Sequence, residues 1–187
     1  HIKEKRSVMG VEIRGLDRLK RKTKKATELI SDAAWDATFE LTELIQGAAE
    51  LRLASSIKYG SGELSGSLKN EVVVDASGHL VGRVWSDKEQ AIYREFGTGQ
   101  IGEASSKDIP TGIMPVYSQK PWFIPAEKVA IDLEAMYGIP KITIQGQDFF
   151  ITKGQPSRPF LYPSLQEMIE QASEIYIKHV KERLREL

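Results

Sequence analysis

Residues 91–102 read AIYREFGTGQIG, and how this stretch is read decides the fold. Glycines at 97, 99 and 102 give the spacing G-x-G-x-x-G. If that loop opened the helix of a βαβ unit, its amides would cradle a pyrophosphate and the chain would be a doubly wound nucleotide-binding protein. The continuation, EASSKDIPTGIMP at 103–115, argues against this. Pro110 and Pro115 break any helix before it matters, and no βαβ units flank the motif. The kinase alternative lacks its catalytic and metal-binding signatures. The glycines therefore read as geometry: Gly97 and Gly99 let the chain turn off the end of a strand formed by AIYREF.

Just before this stretch, NEVVVDA (70–76) and LVGRVWS (80–86) flank SGH and predict a β-hairpin, to which AIYREF adds a third antiparallel strand. Upstream, residues 17–54 contain no proline and one glycine. At about 100° per residue Leu19, Ala26, Ile30, Ala33, Ala37, Leu41, Leu44 and Ala48 fall on one side, which predicts a long amphipathic helix. A first strand is expected in VMGVEIRGL (8–16). Downstream, 103–125 reads as loop. Pro125 opens a short helix, AEKVAIDLEAMY, whose Val129, Leu133 and Met136 share a face and which Gly138 and Pro140 end. KITIQ (141–145) and FFITK (149–153) predict a second hairpin. Ser164 caps a helix running to Leu187, with Leu165, Ile169, Ala172, Tyr176, Val180 and Leu187 inward. The fold class is α+β: a long N-terminal helix and a C-terminal helix packed on a mainly antiparallel sheet, in one domain over 1–187, with a loop-helix-hairpin insertion at about 103–147.

A chain of 187 residues with 41% hydrophobic and 28% charged side chains supports one core. Lys+Arg and Asp+Glu balance at 26 each, so no global field draws nucleic acid or an anionic membrane. The charge is nevertheless segregated. Residues 1–25 hold ten basic side chains against three acids, a net +7, and residues 26–50 hold six acids and no base. There is no cysteine, which removes disulfides and thiolate–metal sites and fits a reducing cytosol. No apolar run nears the roughly 20 residues of a bilayer span, and the charged start HIKEKR has no signal-peptide pattern, so a soluble chain with no membrane partner is expected.

Candidate chemistry is sparse. SSIK (55–58) matches the S-x-x-K of serine acylases, but the companion motifs are missing. His1, His79 and His179 have no metal-site spacing. No catalytic residue, metal ligand or cofactor is assigned, and no enzyme is expected. Surfaces are the better candidates. Trp35 and Phe39 lie i,i+4 on the outer face of the long helix, backed by acids, and read as a contact between subunits or as the seat of the C-terminal segment. Arg18, Lys20, Arg21, Lys22, Lys24 and Lys25 open that helix, where its macrodipole disfavours positive charge. Contact with an acidic patch on a neighbouring copy, contact with DNA phosphates, and simple solvation all remain open as their use. Trp122 and Phe123 are candidate exposed anchors, or a local core under the insertion.

Four stretches in order, the long helix, SGELSGSL (61–68), AIYREFGTG (91–99) and GQPSRPFLYPSLQE (154–167), resemble the gene-product-ten-like neck proteins of long-tailed phages, tail-completion or head-tail joining proteins distantly similar to the minor tail protein Z group. The family's T-G-x-L-x-x-S is matched by Gly62, Leu64 and Ser67, with Ser61 in place of threonine. Its Y-x-x-x-E-F/Y-G-T is approximated by Tyr93, Glu95, Phe96, Gly97 and Thr98, one residue shorter between tyrosine and glutamate. P-x-x-P-F-L-x-P-A appears as Pro156, Pro159, Phe160, Leu161 and Pro163, with Ser164 for alanine. The resemblance implies that Phe96 sits in the core at the end of a central strand and that Pro159, Phe160 and Leu161 pin the last helix. It also implies a structural virion protein at the neck, assembled in the host cytoplasm. This protein would form a ring, six-fold in the family, between head-completion, tail-terminator or tail-tube proteins, with DNA passing through unread. Asp32, Asp36 and Glu43 would then face the lumen and repel the phosphates. The competing reading is a DNA-binding accessory protein that uses the basic helix start.

Overall fold

The computed structural model describes residues 15–55 and 62–187. Most of the predicted first strand, Ser56, Ile57 and Lys58 of SSIK, and Ser61 lie outside the described residues. The spine is α1 (Leu16–Ser55), 40 residues long, or about 60 Å of continuous helix. It buries Leu29, Ala33, Ala37, Thr38, Thr42, Ala49 and Leu53. The expected stripe is therefore rotated: Ala33 and Ala37 hold, but Leu19, Ile30 and Leu44 are exposed. The reason is what lies against the helix. Two threonines, Thr38 and Thr42, meet a glycine of the sheet.

That sheet is the predicted hairpin, β1 (Leu68–Val74) and β2 (Leu80–Ser86), antiparallel with Leu68 opposite Ser86 and Val74 opposite Leu80. Asp75 holds its turn by accepting the amides of Ser77 and His79, both at 2.8 Å. Gly82 lies directly over α1: a Cβ there would sit 2.6 Å from Thr42 Cγ2 and 3.0 Å from Thr38 Cγ2. Absence of a side chain at 82 is what lets strand and helix touch, and the threonines are buried as a result.

The expected third strand is a helix. AIYREF belongs to α2 (Glu89–Phe96), so β1–β2 stays two-stranded. Its Ile, Tyr and Phe suggest a strand, yet Glu89 in the first turn and Arg94 in the last complement the macrodipole, and Gly97 at the C-cap, with φ 75° and ψ −179°, takes a conformation open to glycine that ends the helix. A second correction follows at once. The glycine loop does enter a helix, α3 (Gly99–Ala104), but of only six residues.

Residues 122–152 hold a separate three-stranded antiparallel sheet in the order β3–β5–β4, from β3 (Trp122–Pro125), β4 (Lys141–Ile144) and β5 (Gln147–Thr152), where loop is expected up to 125. Gln145 and Gly146, with φ of 52° and 83°, make the tight β4–β5 turn. The single helix expected at 126–137 is instead a 3-10 turn at Ala126–Lys128 and then α4 (Leu133–Tyr137), which Asp132 caps by accepting the amides of Glu134 and Ala135.

The C-terminal helix is likewise two, α5 (Leu161–Ile169) and α6 (Ala172–Leu184). They run antiparallel along α1, with Arg52 on Glu167 at one end and Arg183 on Asp36 at the other. Met168 and Ile175 are the buried apolar residues of these two helices, whereas Leu165, Ile169 and Leu187, expected inside, are exposed. One core cluster joins the elements: Ala49 and Leu53 of α1, Leu68 of β1, Ala91 of α2 and Phe160, with Leu64 and Leu161 packed on it.

Candidate functional site

Phe160 is 1% exposed, as the resemblance implies for the pin of the last helix. What it does not imply is the role of Glu95. The side chain of Glu95 is buried and reaches from α2 to the start of α5. Oε2 accepts the amides of Phe160 at 2.7 Å and Leu161 at 3.0 Å, and Oε1 accepts that of Tyr162 at 2.9 Å. The first amides of a helix have no partner within it. A carboxylate there satisfies three of them and meets the positive end of the helix dipole. Phe96 is only half-buried, so the core position expected for it is taken by its charged neighbour.

The same joint closes the C-terminal end of α2. Its last four carbonyls each take a donor from elsewhere in the chain. Tyr93 O accepts Gln155 Nε2 at 3.0 Å, Arg94 O the Arg158 amide at 2.9 Å, Glu95 O the Ser157 hydroxyl at 2.6 Å, and Phe96 O the Tyr117 hydroxyl at 2.9 Å. A helix C-terminus and a helix N-terminus are thus tied into one rigid corner. The segment 155–158 supplies three of the four donors.

The glycine loop lies inside this corner. Thr98 pairs with Gln155 and Gly99 with Gly154 as short antiparallel bridges. A Cβ at Gly154 would fall 1.8 Å from Thr98 O, one at Gly99 2.2 Å from Lys153 O, and one at Gly97 2.6 Å from the Ser157 amide. These positions are glycine because backbone meets backbone. The Gly97 amide is bonded to Tyr93 O and that of Ile101 to Lys153 O, so protein carbonyls occupy donors that a phosphate-binding loop would turn outward. Among the described residues no group of three or more His, Asp or Glu is placed to hold a metal ion, and no helix is long and apolar enough to cross a membrane.

Gly62, Leu64 and Ser67 reach the same neighbourhood. Gly62 has φ 75°, Leu64 packs on the core cluster, and Ser67 Oγ lies 2.7 Å from both Leu64 O and Ser86 Oγ. Pro159 and Pro163 flank the pinned helix start and are half-buried. Pro163 falls in the first turn of α5, where a missing amide costs nothing. Ser164 does not cap: it is fully buried and donates back to Phe160 O at 2.6 Å.

The contact candidates divide. Trp35 and Phe39 are 41% and 47% exposed. Asp36 is ion-paired within the chain. Arg183 of α6 grips it through Nε and Nη2 at 3.1 and 2.6 Å. Asp32 and Glu43 are exposed. Glu40 completes the α1–α6 clasp, within 2.6 Å of His179 Nε2 and 3.0 Å of Lys178 Nζ. These two partners, His179 foremost, hold its carboxyl below the usual glutamate range. Arg18, Lys20, Arg21, Lys22, Lys24 and Lys25 are all exposed. Lys25 donates to Glu186 O at 2.7 Å, and Lys24 stands 4.0 Å from Glu28. Trp122 is half-buried against Gly99 and is not an exposed anchor. Phe123 is 49% exposed and edge-on to Phe149.

Sequence reasoning missed two surfaces. One is an apolar groove of about 590 Å³ between β2, α2 and α5, lined by Val84, Trp85, Ile92, Phe96, Leu161 and Leu165 among others. The other is the tip of the 105–121 loop, where Met114 and Val116 are 88% and 98% exposed. The signal for the tip was the apolar run IMPV within a polar loop. Comparison with protein-family models, curated proteins and solved structures gave no match.

Proposed function

We propose that this chain is a structural joining protein of a long-tailed phage: a ring-forming neck or tail-completion component that docks between head connector and tail and lets DNA pass. The observation that carries the reading is the corner itself. The three short motifs of the resemblance, 62–67, 93–98 and 156–163, are scattered over 100 residues, yet the first and second each meet the third: Leu64 packs in the cluster that holds Phe160, and Glu95 is bonded to Ser157 and to the Phe160 amide. Residues that recur as a pattern for architectural reasons are expected to meet in this way. Residues serving a nucleotide would instead leave open amides around a cavity.

Docking accounts for the rest of the surface. Exposed apolar side chains at Trp35, Phe39, Met114 and Val116, and charge segregated along α1, suit contacts with sister copies and adjoining virion proteins. Asp32 and Glu43 remain as the lumen-facing acids in this proposal.

One observation favours the DNA-binding alternative, namely that all six cations at the start of α1 are exposed. Retention on duplex DNA across a salt series separates the two. If the six cations held phosphates, log K would fall against log[salt] with a slope of roughly −5. The joining role predicts no measurable retention at moderate salt, and a steep salt-dependent affinity would replace it with the DNA-binding role.

A further inference from the structure

We infer that the loop tip at residues 111–116 is an assembly arm that seats in the groove between β2, α2 and α5 of a second copy of this chain. The inference rests on the ring reading and names the contact that would build the ring.

The arm is fastened at both ends. Lys107 Nζ donates to Gly102 O at 2.7 Å and Glu103 O at 2.9 Å, a cation on the C-terminal carbonyls of α3. It also lies 4.9 Å from the ring of Tyr117. The Tyr117 hydroxyl in turn donates to Phe96 O. Between these anchors a turn closed by the Ile113 amide on Pro110 O, with Gly112 at φ 92°, directs the chain outward. A tethered loop with a defined turn at its base presents its tip in a fixed direction. Its tip carries methionine and valine almost wholly in water, an arrangement that folding of the single chain does not reward.

The groove is the complementary half. Its walls are Val84, Trp85, Ile92, Phe96, Leu161 and Leu165, and Ile92 and Leu165 remain 60% and 41% exposed. Pro110, at the base of the arm, forms part of the rim. Groove and arm therefore adjoin on one molecule, but the turn carries Met114 and Val116 away from their own groove. A second copy supplies the occupant. Arm and groove are different patches, so the contact is head-to-tail and propagates until it closes, which is the geometry of a ring. Charge permits this: the chain sums to zero, so copies do not repel. The basic run Arg18–Lys25 and the exposed acids Asp32 and Glu43 also attract one another between molecules.

The absence of cysteine makes the test direct. Met114→Cys and Ile92→Cys proteins, each with one exposed thiol, are mixed under oxidising conditions, and sedimentation velocity of M114D/V116D is compared with wild type. The expected result is a disulfide dimer in the mixture well above either protein alone, together with self-association at least tenfold weaker in the double variant at an unchanged melting temperature. A wild type that assembles while the mixture forms no excess cross-link, or while M114D/V116D assembles as strongly, overturns the arm and leaves the ring standing. A wild type that stays monomeric at every concentration overturns both.

Discussion

Replacing Glu95 by glutamine changes one oxygen for an amide and should cost far more than so small a change suggests. In the wild type one carboxylate holds three amides at 2.7, 3.0 and 2.9 Å. Glutamine keeps the carbonyl where it serves two of them, Phe160 and Leu161, and turns its own N–H group toward the Tyr162 amide. One charge-assisted bond is lost, at about 1.5–3 kcal/mol, and two weaken to neutral bonds by about 1 kcal/mol each. Loss of charge at the helix start removes about 0.5–1 kcal/mol more, while glutamine is cheaper to bury and returns part of this. The net expectation is roughly 2–4 kcal/mol. Glu95→Ala, which leaves the amides without an acceptor and opens space beside Phe160, should cost roughly 3–5 kcal/mol. Urea unfolding followed by circular dichroism, with the m-value held as a check on two-state behaviour, measures both. A Glu95→Gln midpoint within about 0.5 kcal/mol of wild type would refute the claim that this carboxylate fastens α5 to α2.

Other consequences follow from the same geometry. Gly82→Ala places a methyl 2.6 Å from Thr42 Cγ2 and should destabilise by about 1–3 kcal/mol through overpacking of β2 on α1, read from the same unfolding curves. Gly154→Ala drives a Cβ onto Thr98 O and forces alanine to φ 113°, so a loss of at least about 3 kcal/mol is expected; a stable variant would show that the loop is looser than described. The lowered carboxyl of Glu40 has a definite sign. Its contribution is present above the unfolded value near 4.5 and fades as pH falls through the lower folded value. Urea midpoints of wild type and Glu40→Gln should therefore converge below that pH, and parallel profiles would contradict the clasp. Trp35→Ala, at an exposed site, should weaken self-association in sedimentation while leaving the melting temperature within a few degrees; the reverse pattern would make Trp35 a folding residue.

The longest element and the two hairpins are legible from local pattern. The 40-residue α1 announces itself by absence of proline and a long 3.6 period, and both hairpins by their turn residues between β-branched runs. The misses fall where the local signal is short or unmarked, or where the deciding partner is remote. AIYREF has the composition of a strand, and six residues are too few for periodicity to arbitrate. The acid-first, base-last, glycine-after pattern of 89–97 was the available clue. Ser164 looks like a cap because serine often is one, whereas the actual cap of α5 comes from Glu95, 65 residues earlier. Thr38 and Thr42 look polar until Gly82 is laid against them. The break at Glu170 and Gln171 has neither glycine nor proline to mark it. The glycine loop came out as geometry, although the helix behind it was not foreseen. Its role became legible only when segment 153–157 was seen to fill the space a phosphate would need.

The central claim is that this polypeptide works by the surfaces it offers to copies of itself, and electron microscopy of the purified protein under assembling conditions tests it most directly. Class averages should contain closed, rotationally symmetric rings with a central opening wide enough for duplex DNA, about 20 Å. Fields holding only monomers or asymmetric aggregates, in a protein whose unfolding is cooperative, would contradict it.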